Sequence, residues 1–153
     1  MAVLSLPNTG MAVTIDIGMS NDIHPKNKQD VGLRLALAAR HVAYRDAAVE
    51  FSGPVYRQAT PENSALRVWF SHADGLQAKG GAALAGFTIA GADGKFVPAD
   101  AKIDGATIVV SSPEVAAPTA VRYAWADDPV CNLVNQAGLP AGPFRSDEPH
   151  YAQ

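Results

Sequence analysis

The hydrophobic pattern of this chain changes its period near residue 46, and that change limits the folds open to it. Residues 12–17 alternate apolar and polar side chains, which predicts a strand. A polar loop over residues 18–27 follows, and apolar residues then recur at helical spacing. After residue 46 the period becomes two, and turn-forming residues separate short apolar runs. The pattern predicts a strand–loop–helix unit followed by a β-rich part.

The helix is predicted from its first turn and from its apolar face. Asn27 is suited to cap the helix, and Asp30 in the first turn favours the positive end of the helix dipole. We expect the helix to end near Tyr44 or Arg45. Its apolar stripe is wide, which is typical of a helix packed on a sheet. The stripe consists of Val31, Leu33, Leu35, Leu37, Ala38 and Val42.

The second part of the chain predicts several short strands. The clearest runs are residues 65–70, 87–90, 107–110 and 120–125, and weaker ones are 49–51 and 55–58. Glycine, asparagine, aspartate and proline lie between them, as in an antiparallel sandwich. Residues 127–153 contain several prolines and show no period. They predict an extended tail that packs back on the rest.

The predicted fold class is an α/β fragment followed by a mostly antiparallel, β-sandwich-like domain, β-rich overall. The predicted division is residues 1–46 for the strand, loop and helix, 47–126 for the sandwich-like domain, and 127–153 for the tail. A parallel sheet needs neighbouring strands and further crossover helices, which one strand and one helix do not supply. Residues 1–46 therefore either pack on the sandwich or are the end of a larger domain. We favour the second interpretation, with the exposed edge of the 12–17 strand as the docking seam.

Composition excludes several classes of site. The chain has 153 residues, of which 48% are apolar and 18% charged, as in ordinary globular proteins. The single cysteine, Cys131, excludes a disulfide within the chain and cysteine-rich zinc or iron–sulfur sites. A net charge of −3 argues against nucleic acid as a partner. No stretch approaches the ~20 apolar residues of a membrane span, and the first ten residues do not resemble a signal peptide.

The loop between the predicted strand and helix is the densest polar constellation in the sequence. α/β folds keep reactive groups at this position, beyond the carboxyl ends of strands. His24 is a candidate general base there, and Asp22 is a candidate to hold its tautomer and stabilise the imidazolium. Pro25 restricts His24 to extended backbone. The alternative is that Asp22 caps a turn and His24 is an ordinary surface histidine.

Ser20 lies in the same loop and nearly completes a nucleophile motif. The stretch Gly18–Asp22 follows the predicted strand, as a G-x-S-x-G elbow does, but Asp22 replaces the second glycine. The helix also does not begin directly after the serine. We therefore interpret Ser20 chiefly as a turn residue.

The remaining histidines, the cysteine and the aromatic residues favour structural roles. The histidines show no metal-ligand spacing, and no phosphate-binding or calcium loop is complete, so no cofactor or metal is expected. Cys131 lies among apolar residues and is expected to be buried. The larger aromatic residues either form a sugar-stacking platform or, as strand spacing favours, belong to the core. The histidines are His41, His72 and His150, and the larger aromatic residues are Trp69, Trp125, Tyr56 and Tyr123.

Long stretches of the sequence carry a family resemblance. They include residues 4–18 (LSLPNTGMAVTIDIG), 21–32 (NDIHPKNKQDVG), 86–100 (GFTIAGADGKFVPAD), 121–133 (VRYAWADDPVCNL) and 138–147 (GLPAGPFRSD). The first two resemble the C-terminal end of the catalytic domain of sialate O-acetylesterases, which are SGNH-type hydrolases. The others resemble the region that follows that domain. The resemblance covers residues 4–147, and its most specific parts are residues 21–28 and 125–147.

The resemblance implies a serine esterase that removes acetyl groups from sialic acid hydroxyls. It matches His24 to the catalytic histidine of the family and Asp22 to the acidic partner of that histidine. The wider class commonly shows D-x-x-H, and the residue three before His24 is Asn21. The substrate it implies is O-acetylated sialic acid or a related acetylated sugar. It implies a parent protein that is exported, periplasmic or lysosomal.

The nucleophile block of the family has no match in these residues. In the family the serine and the oxyanion-hole donors lie near the start of the catalytic domain. The resemblance therefore implies that the partner of this chain is a missing N-terminal catalytic portion, and that the chain alone is inactive. Two alternatives stay open. One is a non-catalytic sandwich module that binds glycan or supports a neighbouring domain, and the other is a small hydrolase built from Ser20, His24 and Asp22.

Overall fold

A computed structural model of the chain describes residues 2–147, and their side chains from residue 4 onward. The described part is mostly β, as the sequence predicts, with one α-helix. Short 3₁₀ turns lie at Ala2–Ser5 and Lys79–Gly81. The regular elements are α1 (Lys28–Val42), β1 (Val55–Glu62), β2 (Ala65–Ser71), β3 (Gln77–Ala78), β4 (Phe87–Ala90), β5 (Val97–Pro98), β6 (Asp100–Asp104), β7 (Thr107–Ser111), β8 (Ala120–Tyr123), β9 (Leu133–Val134) and β10 (Phe144–Arg145).

All pairings between these strands are antiparallel. The first sheet has the order β1-β2-β7-β6, the second has the order β10-β8-β4-β5, and β3 pairs with β9 in a small third sheet. The four clearest strand predictions are confirmed as β2, β4, β7 and β8. The weak run at residues 55–58 is the start of the longer β1. The hairpin turns lie where asparagine or glycine allows positive φ, at Asn63 (φ 55°) and Gly105 (φ 59°).

Buried side chains of both four-stranded sheets form one hydrophobic core. Alternate residues of each strand point into it, as the period of two requires. The first sheet contributes Leu66, Val68, Ile108 and Val110, and the second contributes Phe87, Ile89, Val121, Tyr123 and Phe144. Three aromatic rings pack closely in this core: the Phe144 ring lies 4.5 Å from that of Tyr56 and 5.8 Å from that of Tyr123.

The strands that the sequence analysis missed are short or polar. β3, β5, β9 and β10 have two residues each, too few to show a period. β6 is an edge strand with the sequence DAKID, and edge strands carry charged residues rather than an apolar run. The weak prediction at residues 49–51 is wrong. There the Glu50 carboxylate accepts the backbone N–H groups of Phe51 and Ser52, so these donors are satisfied locally and not by a neighbouring strand.

The predicted strand over residues 12–17 is also wrong. The segment forms a turn, in which Ile17 N–H donates to the Thr14 carbonyl at 3.2 Å. The Val13 carbonyl accepts a hydrogen bond from the Arg34 side chain at 2.6 Å. A strand is stable only beside a partner, and no described residue pairs with this segment in a sheet. The strand of the predicted α/β unit is therefore absent in this chain.

The helix itself is confirmed, but its packing differs from the prediction. Asn27 Oδ1 accepts the backbone N–H of Asp30 at 3.1 Å, which is the predicted cap. The helix ends at Val42, slightly before the predicted end. Its stripe is not covered by a sheet, because Leu33 and Leu35 are 56% and 52% exposed. The buried residues of the helix are Arg34 and Ala38.

The helix packs on irregular segments of the chain. Ala38 lies so close to Gly10 that a Cβ on that glycine would approach the Ala38 Cβ to 2.9 Å. At the other end of the helix the His41 ring stacks on Phe51, with 3.9 Å between ring centroids. These contacts replace the sheet that the wide apolar stripe suggested. No helix in residues 2–147 combines the length and the apolar character needed to cross a membrane.

Asn135 joins the C-terminal segment to the linker that follows the helix. It is 1% exposed. Its Nδ2 donates to the carbonyls of Ser52 and His72, at 2.9 and 3.2 Å, and its Oδ1 accepts Leu139 N–H at 3.1 Å. One buried amide thereby satisfies backbone groups from three segments.

Candidate functional site

His24 lies on an exposed loop between the turn at residues 14–17 and the start of α1. Its backbone N–H donates to Asp22 Oδ1 at 2.8 Å. Asp22 is itself held by a turn in which its N–H donates to the Met19 carbonyl at 3.2 Å. The bond between the two candidate residues thus involves the backbone of His24 and not its imidazole, and His24 is an exposed residue. Asp22 fixes the loop backbone around the histidine.

Ser20 is placed elsewhere on the same loop. It lines an open cleft of about 300 Å³ whose other wall includes Ala126, Asp127 and Asp128. Within residues 2–147 no hydrogen bond joins Ser20 to His24 or to Asp22. A serine nucleophile must lie within hydrogen-bond reach of its base. The geometry therefore gives no support to a hydrolase built from this loop alone.

An ion pair closes the His24 loop at its base. Asp16 precedes the loop and Arg34 follows it, and the guanidinium contacts both carboxylate oxygens, at 2.6 and 2.9 Å. The two side chains are 6% and 8% exposed. Arg34 Nη1 also donates to the Val13 carbonyl, so a single arginine side chain fixes the backbone that precedes the loop. Such two-point contacts between arginine and carboxylate are among the strongest polar contacts in proteins.

Lys79 connects this pair to the β-rich part of the chain. Its Nζ lies 3.1 Å from Asp16 Oδ2. Burial raises the pKa of Asp16, but the hydrogen bonds from Arg34 and Lys79 outweigh it and leave the pKa below its usual value. Asp16 is therefore ionised at neutral pH. The loop that carries His24 is thus anchored to both the helix and the segment after β3.

Sequence analysis missed this pair, although one signal was present. Arg34 lies on the same helical face as Val31 and Ala38, at spacings of three and four residues. A charged residue in an apolar stripe requires a buried partner of opposite charge. The alternation at residues 12–17 places Asp16 among the polar positions of a predicted strand, and no strand forms there.

The other histidines have structural contacts. His41 stacks on the Phe51 ring at a centroid distance of 3.9 Å, and His72 makes an edge contact with the same ring at 5.1 Å. His72 Nδ1 lies 2.9 Å from Glu50 Oε1. His150 falls outside the described residues. Among the residues that are described, no group of histidine, cysteine and carboxylate side chains is arranged to hold a metal ion.

The core prediction for the large aromatic residues is wrong for both tryptophans. Trp69 and Trp125 are 42% and 47% exposed, whereas Tyr123 is buried and its hydroxyl accepts Leu133 N–H at 2.9 Å. Trp69 lies on β2 of the first sheet, whereas Trp125 follows β8 of the second sheet, so the two tryptophans do not lie on the same strand. Cys131 is partly buried, and burial raises the pKa of its thiol, which disfavours a thiolate nucleophile.

Comparisons with known proteins agree with the resemblance seen in the sequence. No family model matches the chain. Sialate O-acetylesterase from Rattus norvegicus is 29% identical over 158 residues, which cover 95% of this chain and 29% of the rat protein. Sialate O-acetylesterase from Homo sapiens is 43% identical over 54 residues, or 33% of this chain.

A solved structure matches nearly the whole chain. It is described as a novel carbohydrate acetylesterase from Xanthomonas citri, and it is 52% identical, with a TM-score of 0.91 over 94% of this chain. The match covers 34% of that protein. The chain therefore spans about a third of the length of the proteins it resembles.

Proposed function

We propose that this chain, which is sialate O-acetylesterase-like over part of the length of such a protein, supplies the catalytic histidine of a carbohydrate acetylesterase. It would correspond to the C-terminal part of a serine esterase that removes O-acetyl groups from sialic acid or a related sugar. The observation that carries the proposal is the match to the carbohydrate acetylesterase structure, at 52% identity over 94% of the chain. The names of the curated relatives support ester hydrolysis of the same kind.

His24 is proposed as the general base. A serine outside these residues would attack the acetyl carbonyl carbon while His24 accepts the hydroxyl proton. His24 would then return that proton to the sugar oxygen as the acetyl–oxygen bond breaks, leaving an acetyl-serine that water hydrolyses. The position of His24 suits this role, because an exposed ring on an anchored loop is accessible to a nucleophile on another surface.

Asp22 is proposed as the residue that supports His24. Its Oδ1 already accepts the His24 backbone N–H. A carboxylate accepts about four hydrogen bonds, so this contact leaves capacity for the imidazole. A negative charge beside the ring would stabilise the imidazolium that forms when the serine proton is taken.

The surface of the first 46 residues supports a domain that continues beyond them. Seven of the eleven large hydrophobic residues that are exposed in the described part of the chain lie there. They are Leu4, Leu6, Met19, Ile23, Leu33, Leu35 and Tyr44. A concentrated apolar surface of this kind is typical of an interface. We infer that residues 1–46 complete the esterase domain, that residues 47–126 form a sandwich-like domain, and that residues 127–147 pack back on it. The rest of the predicted tail, residues 148–153, lies outside the described residues.

The test is hydrolysis of an O-acetylated sugar by three preparations. These are the chain alone, the chain mixed with the catalytic portion of a relative that carries the serine, and the same mixture with His24→Ala. We expect hydrolysis only in the second preparation. Hydrolysis that survives His24→Ala, or a mixture that binds but remains inactive, would contradict the proposed role of His24.

Two variants of Asp22 separate charge from loop support. Asp22→Asn keeps an oxygen that can accept the His24 N–H but removes the charge, and Asp22→Ala removes both. If the charge acts on the imidazolium, Asp22→Asn loses activity by up to about 10⁴-fold. If Asp22 only holds the loop, Asp22→Asn remains active and Asp22→Ala does not.

A further inference from the structure

The outer face of the first sheet presents a large aromatic ring, that of Trp69, on one of its two inner strands. β2 is an inner strand of that sheet, between β1 and β7. Leu66 and Val68 point into the core, so Trp69 lies on the opposite face, where it is 42% exposed. Its neighbours across the strands are Gln58 on β1 and Thr107 on β7. Solvated sheet faces are normally polar, and an exposed indole at this place has no role in the core.

The indole is held in a fixed orientation. Its Nε1 donates to Thr60 Oγ1 on β1 at 3.2 Å. The polar edge of the ring is therefore satisfied within the sheet, while part of its apolar surface faces solvent. A tryptophan whose polar edge is fixed and whose face is exposed is suited to stack on an apolar face of a ligand.

Fixed polar groups lie on one side of the ring. Arg67 contacts Glu62, and its Nη1 lies 2.8 Å from Asp104 Oδ2 and 2.6 Å from Thr107 Oγ1. The charge of the guanidinium is thus paired by two carboxylates. Those carboxylate side chains are 64% exposed at Asp104 and 38% exposed at Glu62, so they remain accessible as acceptors.

A second arginine lies on the other side of the ring. Arg57 occupies a bulge in β1, where the register shifts between Tyr56 and Gln58. Bulges redirect side chains, and Arg57 Nε donates to Ser71 Oγ at 3.0 Å. Trp69 therefore lies between two arginine-centred groups whose positions are fixed by the sheet.

We propose that this face, centred on Trp69, is a carbohydrate-binding surface separate from the His24 loop. The C–H face of a pyranose ring stacks on the indole, while its hydroxyl groups donate to the Asp104 and Glu62 carboxylates and accept from the flanking arginines. The choice of a carbohydrate as the ligand rests on the proposed function, because the substrate of an esterase for acetylated sugars is itself a carbohydrate. The charges of Glu62 and Asp104 balance those of Arg67 and Arg57 on this face, which favours a neutral sugar ring over one that carries a carboxylate.

The two tryptophans allow a direct binding test on the chain itself. Trp125→Phe leaves Trp69 as the indole reporter, and Trp69→Phe leaves Trp125. Each variant is titrated with a soluble acetylated glucomannan, with the same polymer after deacetylation, and with a sialylated oligosaccharide. We expect a saturable change of fluorescence only when Trp69 is present, and a larger one with the neutral polymers. No change with any of the three sugars would overturn the proposal.

Matched variants relate the signal to the surface. By affinity electrophoresis in the neutral polymer, Trp69→Ala is expected to weaken binding about tenfold, and Asp104→Ala to weaken it less. Trp125→Ala is the control for loss of an exposed tryptophan, and it is expected to bind normally. Equal loss in both tryptophan variants would contradict a site on the first sheet. So would sedimentation that shows the unmutated chain as a dimer and the Trp69→Ala variant as a monomer.

The esterase proposal and the binding-surface proposal can be contradicted independently of each other. His24→Ala is expected to abolish hydrolysis in the complemented enzyme and to leave the Trp69 fluorescence titration unchanged. If hydrolysis is present while Trp69 gives no response, the binding surface is wrong and the esterase proposal stands. If Trp69 responds while no preparation hydrolyses the sugar, the esterase proposal is wrong and the chain is a glycan-binding module.

Discussion

The first 46 residues and the β-rich remainder bury their apolar side chains to very different extents. Among the described residues, the buried hydrophobic residues before residue 47 are Ile17 and Ala38, while those after it form a continuous core. The first region instead exposes leucine and isoleucine side chains on its loop and helix. It is held by polar contacts, chiefly the pair of Asp16 and Arg34. The two regions therefore depend on different forces.

This difference has a consequence for the candidate site. Segments with few buried apolar contacts open locally at a lower free energy than a core does. His24 lies in the first region, and the proposed sugar-binding face lies in the second. The sheet supplies a rigid surface, whereas the loop of His24 is held in position chiefly by the ion pair of Asp16 and Arg34.

The largest effect is expected from breaking the buried ion pair. Arg34→Met leaves Asp16 buried without its main partner, and removal of one member of such a pair costs about 3–5 kcal/mol. We expect the helix to unfold while the sheets remain. Hydrogen exchange that is fast in α1 and unchanged in β2 and β7 would show this. Loss of protection throughout the chain would mean that the two regions fold as one unit.

Acid should break the same contact without a mutation. The pKa of Asp16 lies below its usual value when the chain is folded, so the contribution of the pair is complete above about pH 4. It is lost as the pH falls through the folded pKa. Helical circular dichroism is therefore expected to fall below pH 4. Asp16→Asn, which cannot titrate, is the control and should remove this part of the pH dependence.

Two leucines allow the comparison between the regions to be measured directly. Leu66 is 2% exposed in the core, and Leu35 is 52% exposed on the helix. Leu66→Ala is expected to lower the free energy of unfolding by about 2–5 kcal/mol, while Leu35→Ala lowers it by less than about 0.5 kcal/mol. Chemical denaturation of both variants checks this. A large effect at Leu35 would show that the helix face is covered, for example by self-association.

The same two regions differ in how well their sequence predicts them. The strands β2, β4, β7 and β8 are predictable because each has a buried face, and alternation records it. In the first region alternation at residues 12–17 was misleading, because no partner strand for this segment is found among the described residues. The helix was predictable from its cap at Asn27, which is a local contact. The packing of the helix was not predictable, because its apolar stripe shows which face is hydrophobic but does not identify the segment that packs on that face.

The candidate site was predictable only in part, for a related reason. The position of His24 on a loop before a helix follows from local sequence. The contact of Arg34 with Asp16 joins residues 18 apart, and the exposure of Trp69 depends on which face of the sheet it occupies. Arg34 in the apolar stripe indicates that a buried partner exists, but no local pattern identifies Asp16 as that partner or shows which face of the sheet carries Trp69. Long-range polar contacts and the choice of face are where a single sequence is least informative.

A smaller effect is expected at the junction of the regions. Asn135→Ala removes a buried amide and leaves the carbonyls of Ser52 and His72 without this donor. Unsatisfied buried groups cost about 1–3 kcal/mol each, and partial access of water at Ser52 and His72 reduces the sum. Chemical denaturation measures the loss. Gln136→Ala, at an exposed neighbour, is the control, and an equal loss there would contradict the role of Asn135.

The helix cap should give the smallest effect, and its size tests how independent the first region is. Asn27→Ala removes the acceptor for Asp30 N–H, and loss of such a cap costs about 0.5–2 kcal/mol. Asn27→Asp keeps an acceptor and is the control. If α1 depends on its own caps and ion pairs, Asn27→Ala lowers its helical signal at temperatures where the sheets remain intact. If the helix instead melts together with the sheets in both variants, contact through Lys79 and Phe51 couples the regions more strongly than their burial suggests, and the loop of His24 shares the stability of the core.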